Sequence, residues 1–82
     1  MRIFAIWKEA FGMTERERIG KLLADKRYGA GLSVRALAEL AGVSHQNITK
    51  IESGKYNVSI DILSKIINPL NCQLDIVKKA AE

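Results

Sequence analysis

A chain of 82 residues supplies one domain and leaves no room for a second independent core. With 48% hydrophobic and 27% charged residues, one Pro and six Gly, it is not a disordered tail, a collagen-like repeat or a low-complexity segment, and its apolar runs fall short of a membrane-spanning helix. The 13 Lys and Arg against 9 Asp and Glu leave a charge of +4, which permits an anionic partner without requiring one; their spread along the chain disfavours a polybasic membrane patch or basic arm.

Residues 1–13 read as an N-terminal extension with more than one reading. Ile3, Ile6, Trp7, Ala10 and Phe11 fall on one face of a helix that Gly12 would end. Arg2 to Trp7 also reads as a short apolar strand, and the whole stretch is dispensable if the domain starts at the next cap. As a signal peptide it fits poorly, because Lys8 and Glu9 interrupt a short apolar run.

Thr14-Glu15-Arg16-Glu17 is a capping box and opens a helix over about residues 14–28. Ile19, Leu22 and Leu23 recur at helical spacing, Lys26 and Arg27 close the last turn, and Gly29 and Gly31 stop it. Ser33 caps a second, short helix from Val34 to Leu40, with Leu37 and Leu40 toward the core and the small Ala38 where another helix crosses. Gly42 suits a left-handed turn residue, Val43 packs inward, and Ser44 caps a third helix that runs to about Glu52 with Ile48 and Ile51 on its buried face.

After Ser53-Gly54 and a polar loop, Ser59 caps a fourth helix. Its apolar stripe is Leu63, Ile66, Ile67 and Leu70, and Pro69 limits its length. Then the period changes to two: Cys72, Leu74 and Ile76 alternate with Gln73, Asp75 and Val77, the pattern of a short strand. A lone strand needs a partner, either the N-terminal stretch or the same strand of a second copy. The expected fold is therefore mainly α with a short C-terminal β-strand. The chain divides into an extension over 1–13, a helical domain over 14–70 and a strand-bearing tail over 71–82.

Several chemistries are excluded at this stage. The single Cys72 cannot form an internal disulfide and fits a reducing cytoplasm. His45 and Cys72 alone do not make a zinc site, and no glycine-rich phosphate loop is present. No nucleophile and base assemble, so the expectation is a protein that is not an enzyme, with no metal and no cofactor.

Two short helices joined by a tight glycine turn, inside a helical domain, form a helix-turn-helix. Bracing the later helix needs a small residue, a glycine-compatible turn and an apolar inner pair, and Ala38, Gly42, Val43, Ile48 and Ile51 supply them. The outer face of the third helix is then polar, with His45, Gln46, Thr49, Lys50 and Ser53 short enough to reach base edges in a major groove ~12 Å wide.

The run from Leu32 to Gly54, with Leu37-Ala38-Glu39-Leu40-Ala41-Gly42-Val43-Ser44 and Ile48…Ile51-Glu52-Ser53-Gly54, resembles the phage-repressor/Cro (XRE) type of helix-turn-helix. The resemblance covers about residues 14–70 and implies a lambda-repressor-like bundle. It assigns His45, Gln46 and Lys50 to base reading, with Thr49 and Ser53 near the groove. By the same resemblance Ser33, Arg35, Asn47, Lys55, Tyr56 and Asn57 are phosphate-contact positions, although Tyr56 packing over its own loop is an equal alternative. Glu52 would pair with Arg27 as a structural ion pair. Val34 departs from the family, many of whose members have a backbone-clamping Gln there. The segment around Cys72, Leu74 and Ile76 is similar to a C-terminal strand of antitoxin-like members, where strands of two subunits pair.

These readings together predict a cytoplasmic, sequence-specific regulator of transcription that acts as a repressor. It would bind double-stranded DNA as a homodimer over a near-palindrome, with no membrane association. The alternative is an antitoxin-like module that binds a protein toxin, through an apolar face such as Met1–Phe11, and regulates its own expression.

Overall fold

The Thr14 hydroxyl accepts from the Glu17 amide at 3.1 Å, and the Glu17 carboxylate accepts from the Thr14 amide at 2.7 Å. This reciprocal cap satisfies two of the amides that a helix start leaves open. Helix α1 follows, Glu15–Gly29, in a computed structural model that describes residues 13–79. Lys26 and Arg27 sit in its last turn, where cations oppose the helix dipole. Past its end, Gly31 takes φ 71° and the Leu32 amide returns to the Arg27 carbonyl at 3.1 Å. Gly29 lies within the helix, so of the two expected stop glycines Gly31 makes the turn.

Helix α2, Val34–Ala41, starts at Ser33, whose hydroxyl accepts from the Ala36 amide at 3.0 Å. Gly42 ends it at φ 72°, ψ 34°, and the Val43 amide reaches back to the Ala38 carbonyl at 3.1 Å. That pair of features is a Schellman turn, and the left-handed backbone is what demands glycine. Helix α3, His45–Glu52, comes after only two further residues. Ser44 holds the N-cap position in extended backbone, but its hydroxyl makes no capping bond, contrary to expectation. The Asn47 amide bonds the Ser44 carbonyl instead, at 3.1 Å.

Helix α4, Ile60–Ile67, is capped by Ser59 and carries Asp61 in its first turn. Pro69 lacks the amide that would continue the helix, and the chain tightens into a single 3-10 turn, Asn68–Leu70. The core is Leu23 of α1, Leu37, Ala38 and Ala41 of α2, Ile48 and Ile51 of α3, and Leu63 and Ile66 of α4. Helix α3 packs on both α1 and α2, and α4 with its 3-10 turn closes over α2.

Two expected core residues are not in it. Leu40 is 62% exposed, because Leu37, Ala38 and Ala41 define the inner face of α2 and Leu40 falls on the opposite side of Leu37 from Ala38. Leu22 is 45% exposed, since the inner face of α1 runs through Gly20, Leu23 and Arg27.

Among the described residues there is no strand: residues 72–79 form no ladder. Cys72 is half-buried with its thiol on the Leu70 carbonyl, while Leu74, Ile76 and Val77 are exposed. The alternating pattern is present, but a strand exists through hydrogen bonds to a neighbour, and none of the other described residues supplies them. The architecture described is thus mainly α, a bundle of four helices. None of these helices is long and apolar enough to cross a membrane. The helix, strand and extension readings of residues 1–13, and the apolar face of Met1–Phe11, lie outside the described residues apart from Met13.

Candidate nucleic-acid interface

Helix α3 has one buried and one open side. Ile48 and Ile51, at 0% and 2% exposure, anchor it in the core. Around the other side Gln46, Thr49, Lys50 and Ser53 are exposed and His45 is half-buried. Gln46 and Lys50 stand one turn apart and so project side by side. The row of side chains expected to read bases is therefore gathered on one surface of a helix held from behind.

Two contacts to α1 fix how that helix is held. Arg27 is 6% exposed and donates from Nε and Nη2 to the two carboxylate oxygens of Glu52, at 2.8 and 2.9 Å. Its Nη1 donates to the Leu32 carbonyl at 2.9 Å, and its guanidinium lies 4.4 Å from the Tyr28 ring centroid. The bond to Glu52 raises the Arg27 pKa above the usual arginine value against the opposing effect of burial. The expected Arg27–Glu52 pair is present in bidentate geometry, joining the end of α1 to the end of α3.

The second contact is Gly20. A Cβ built there would collide with the Ile51 backbone carbonyl and press on Glu52, so α1 and α3 approach at a distance only glycine allows. Gly20 belongs to no motif. The signal for it in the sequence is a glycine inside an otherwise good helix, which costs ~1 kcal/mol against alanine and so asks for a packing reason.

Some hydroxyls expected near DNA already have local bonds. Thr49 donates to the His45 carbonyl at 3.2 Å, and Ser53 donates to the Lys50 carbonyl at 2.6 Å while accepting weakly from the Lys55 amide at 3.4 Å. Ser33 is the α2 cap. Each keeps further hydrogen-bonding capacity. Arg35 is exposed in the first turn of α2, and Asn47 is half-buried on α3. Lys55, Tyr56 and Asn57 are exposed on the loop that leaves α3. Val34 is half-buried against the core, so the position of the family's clamping Gln is here a packing residue.

Lys50 places its ammonium over the Tyr56 ring, 5.6 Å from the centroid. Cys72 and Leu74 belong elsewhere, to a shallow groove beside α4 that Ser64, Lys65 and Ile67 also line. Among the described residues no group of three or more His, Cys, Asp or Glu side chains is placed to hold a metal.

The chain matches the helix-turn-helix family over residues 23–77. It is 32% identical over 66 residues to the ImmF control region 10 kDa protein of Bacillus phage phi105, covering 80% of this chain and 73% of that protein. It is 47% identical over 47 residues to an HTH-type transcriptional regulatory protein of Methanocaldococcus jannaschii, but those residues are 57% of this chain and only 15% of that relative. Its fold is similar to the crystal structure of the clp gene regulator ClgR of C. glutamicum, with a TM-score of 0.68 and 30% identity over 72% of this chain and 76% of the other.

Proposed function

Since the chain belongs to the helix-turn-helix family, we propose that it is a sequence-specific, double-stranded DNA-binding transcriptional regulator, a repressor that reads a near-palindromic operator as a homodimer. One observation carries this reading: on the polar side of α3, Gln46, Thr49, Lys50 and Ser53 are exposed beside the half-buried His45, while Ile48 and Ile51 clamp the helix from behind. A helix so presented fits a major groove, with Gln46 suited to adenine and Lys50 to guanine. Arg35, Asn47, Lys55 and Asn57 flank it and would meet phosphates, which position the helix without selecting sequence.

The homodimer reading is supported by the exposed Leu74, Ile76 and Val77 on a segment with no ladder partner among the described residues. Pairing of two such segments about a two-fold axis would set two recognition helices about 34 Å apart, one DNA turn. The alternative of an antitoxin-like module draws on the apolar pattern of Met1–Phe11 and predicts a stable complex with a small protein from the native host.

Selection of sites from random duplex DNA, followed by binding at several salt concentrations, tests the main reading. The expected outcome is a two-fold-related consensus with affinity that falls steeply with salt. Lys50→Ala and Gln46→Ala should each cost about 1–3 kcal/mol on that site and relax it at one base pair. An unchanged consensus and affinity in Lys50→Ala would remove α3 from the groove.

A further inference from the structure

Tyr56 came out of the sequence as a phosphate contact or a residue packed on its own loop. Its position suggests a third role. The loop after α3 is folded back on the helix by bonds that converge on its last turn. The Ser53 hydroxyl donates to the Lys50 carbonyl, the Lys55 amide donates to Ser53, and the Gly54 amide donates to the Ile51 carbonyl at 3.0 Å. Gly54 adopts φ 80°, and a Cβ there would meet Glu17 of α1 at 3.0 Å, so the loop is also held against α1. The loop therefore returns the Tyr56 ring to the side of α3 where Lys50 emerges, and the ammonium lies over the ring face. Lys50 makes no ion pair with a carboxylate among the described residues, which leaves the ring as its observed partner.

We infer that Tyr56 is a positioning residue for Lys50, its ring holding the ammonium toward one base pair. This rests on the proposed placement of α3 in the groove. Lysine is a point charge on a flexible stem, and an unguided ammonium satisfies itself on any nearby phosphate oxygen. An aromatic face attracts the cation and narrows the arc it sweeps. Tyr56 thus converts a general attraction for DNA into a preference at one position. The role belongs to the ring; a phosphate contact would belong to the hydroxyl, and substitution separates the two.

The test uses the full chain, with equilibrium binding to its selected site and to single-base-pair variants of that site. Tyr56→Phe and Tyr56→Trp, which keep a ring face, should retain discrimination. Tyr56→Leu should lower it roughly three- to tenfold at the base pair that Lys50→Ala relaxes, and the double variant should lose no more than Lys50→Ala alone. Thermal melts followed by circular dichroism establish that each variant is folded. Independent, multiplying losses in the double variant would overturn the inference. So would a Tyr56→Phe variant that binds all DNA as weakly as Tyr56→Leu, since the hydroxyl would then be the working group. Failure of the groove placement itself reads differently, as Lys50→Ala leaving every base preference unchanged.

Discussion

Gly20 and Gly29 lie on the same helix and do opposite things there. At Gly20 a side chain would strike the backbone of α3, whereas at Gly29 nothing lies within 4 Å and the backbone is helical. Gly20→Ala should destabilise the domain by about 2 kcal/mol, because neither backbone can yield without moving Ile51. Gly29→Ala should stabilise it by about 0.5–1 kcal/mol, because alanine loses less backbone freedom in a helix. Urea midpoints of the two variants would then move in opposite directions from the parent. A common direction would mean that the close α1–α3 approach is not what Gly20 provides. By position in the sequence Gly29 reads as a helix stop and Gly20 as a glycine inside the helical run that asks for a packing reason. What decides their effects is which residue of another helix arrives opposite, a tertiary fact that the local sequence does not identify.

At the scale of elements, the cap and turn signals were legible because each is complete within a few residues. Thr14 with Glu17, Ser33, Ser59 and the Gly42 turn all form as their side chains predict. The inner pair Ile48 and Ile51 was legible for the same reason, since a three-residue spacing settles which side is buried. Leu40 was not, because an eight-residue helix is too short for its stripe to average out, and the small Ala41 takes the inner place. Ser44 shows that an N-cap residue type does not guarantee the bond. The Arg27–Glu52 pair spans elements and was available only through the family resemblance. Its side chains are 7% and 13% exposed, so removing one partner strands a charge. Glu52→Ala should cost about 3 kcal/mol, near the lower end for a broken buried pair, and Arg27→Met with Glu52→Leu should recover at least half of that. Chemical denaturation of the three proteins checks it; a double variant no better than Glu52→Ala would show that the Arg27 bond to Leu32 and its packing on Tyr28 matter more than the pair.

At the scale of the whole molecule, the helical unit and the tail answer different demands. Leu23, Leu37, Ala38, Ala41, Ile48, Ile51 and Ile66 form one core without any residue after Leu70. Leu74 and Ile76 lie outside it, at 39% and 97% exposure, and their alternation places them on one side of an extended segment. If that side pairs with its copy, Leu74→Asn with Ile76→Asn removes the apolar contact without changing the net charge. The monomer's melting should then shift little, while sedimentation at micromolar concentration moves from dimer to monomer. A two-fold operator would lose simultaneous engagement of both half-sites, and affinity for it should fall at least about tenfold, or ~1.4 kcal/mol, with single half-site binding nearly unchanged. The comparison of whole site with half-site is decisive, because a general loss of DNA affinity would lower both together. A variant that remains a dimer and binds the whole site as the parent does would place the subunit contact elsewhere.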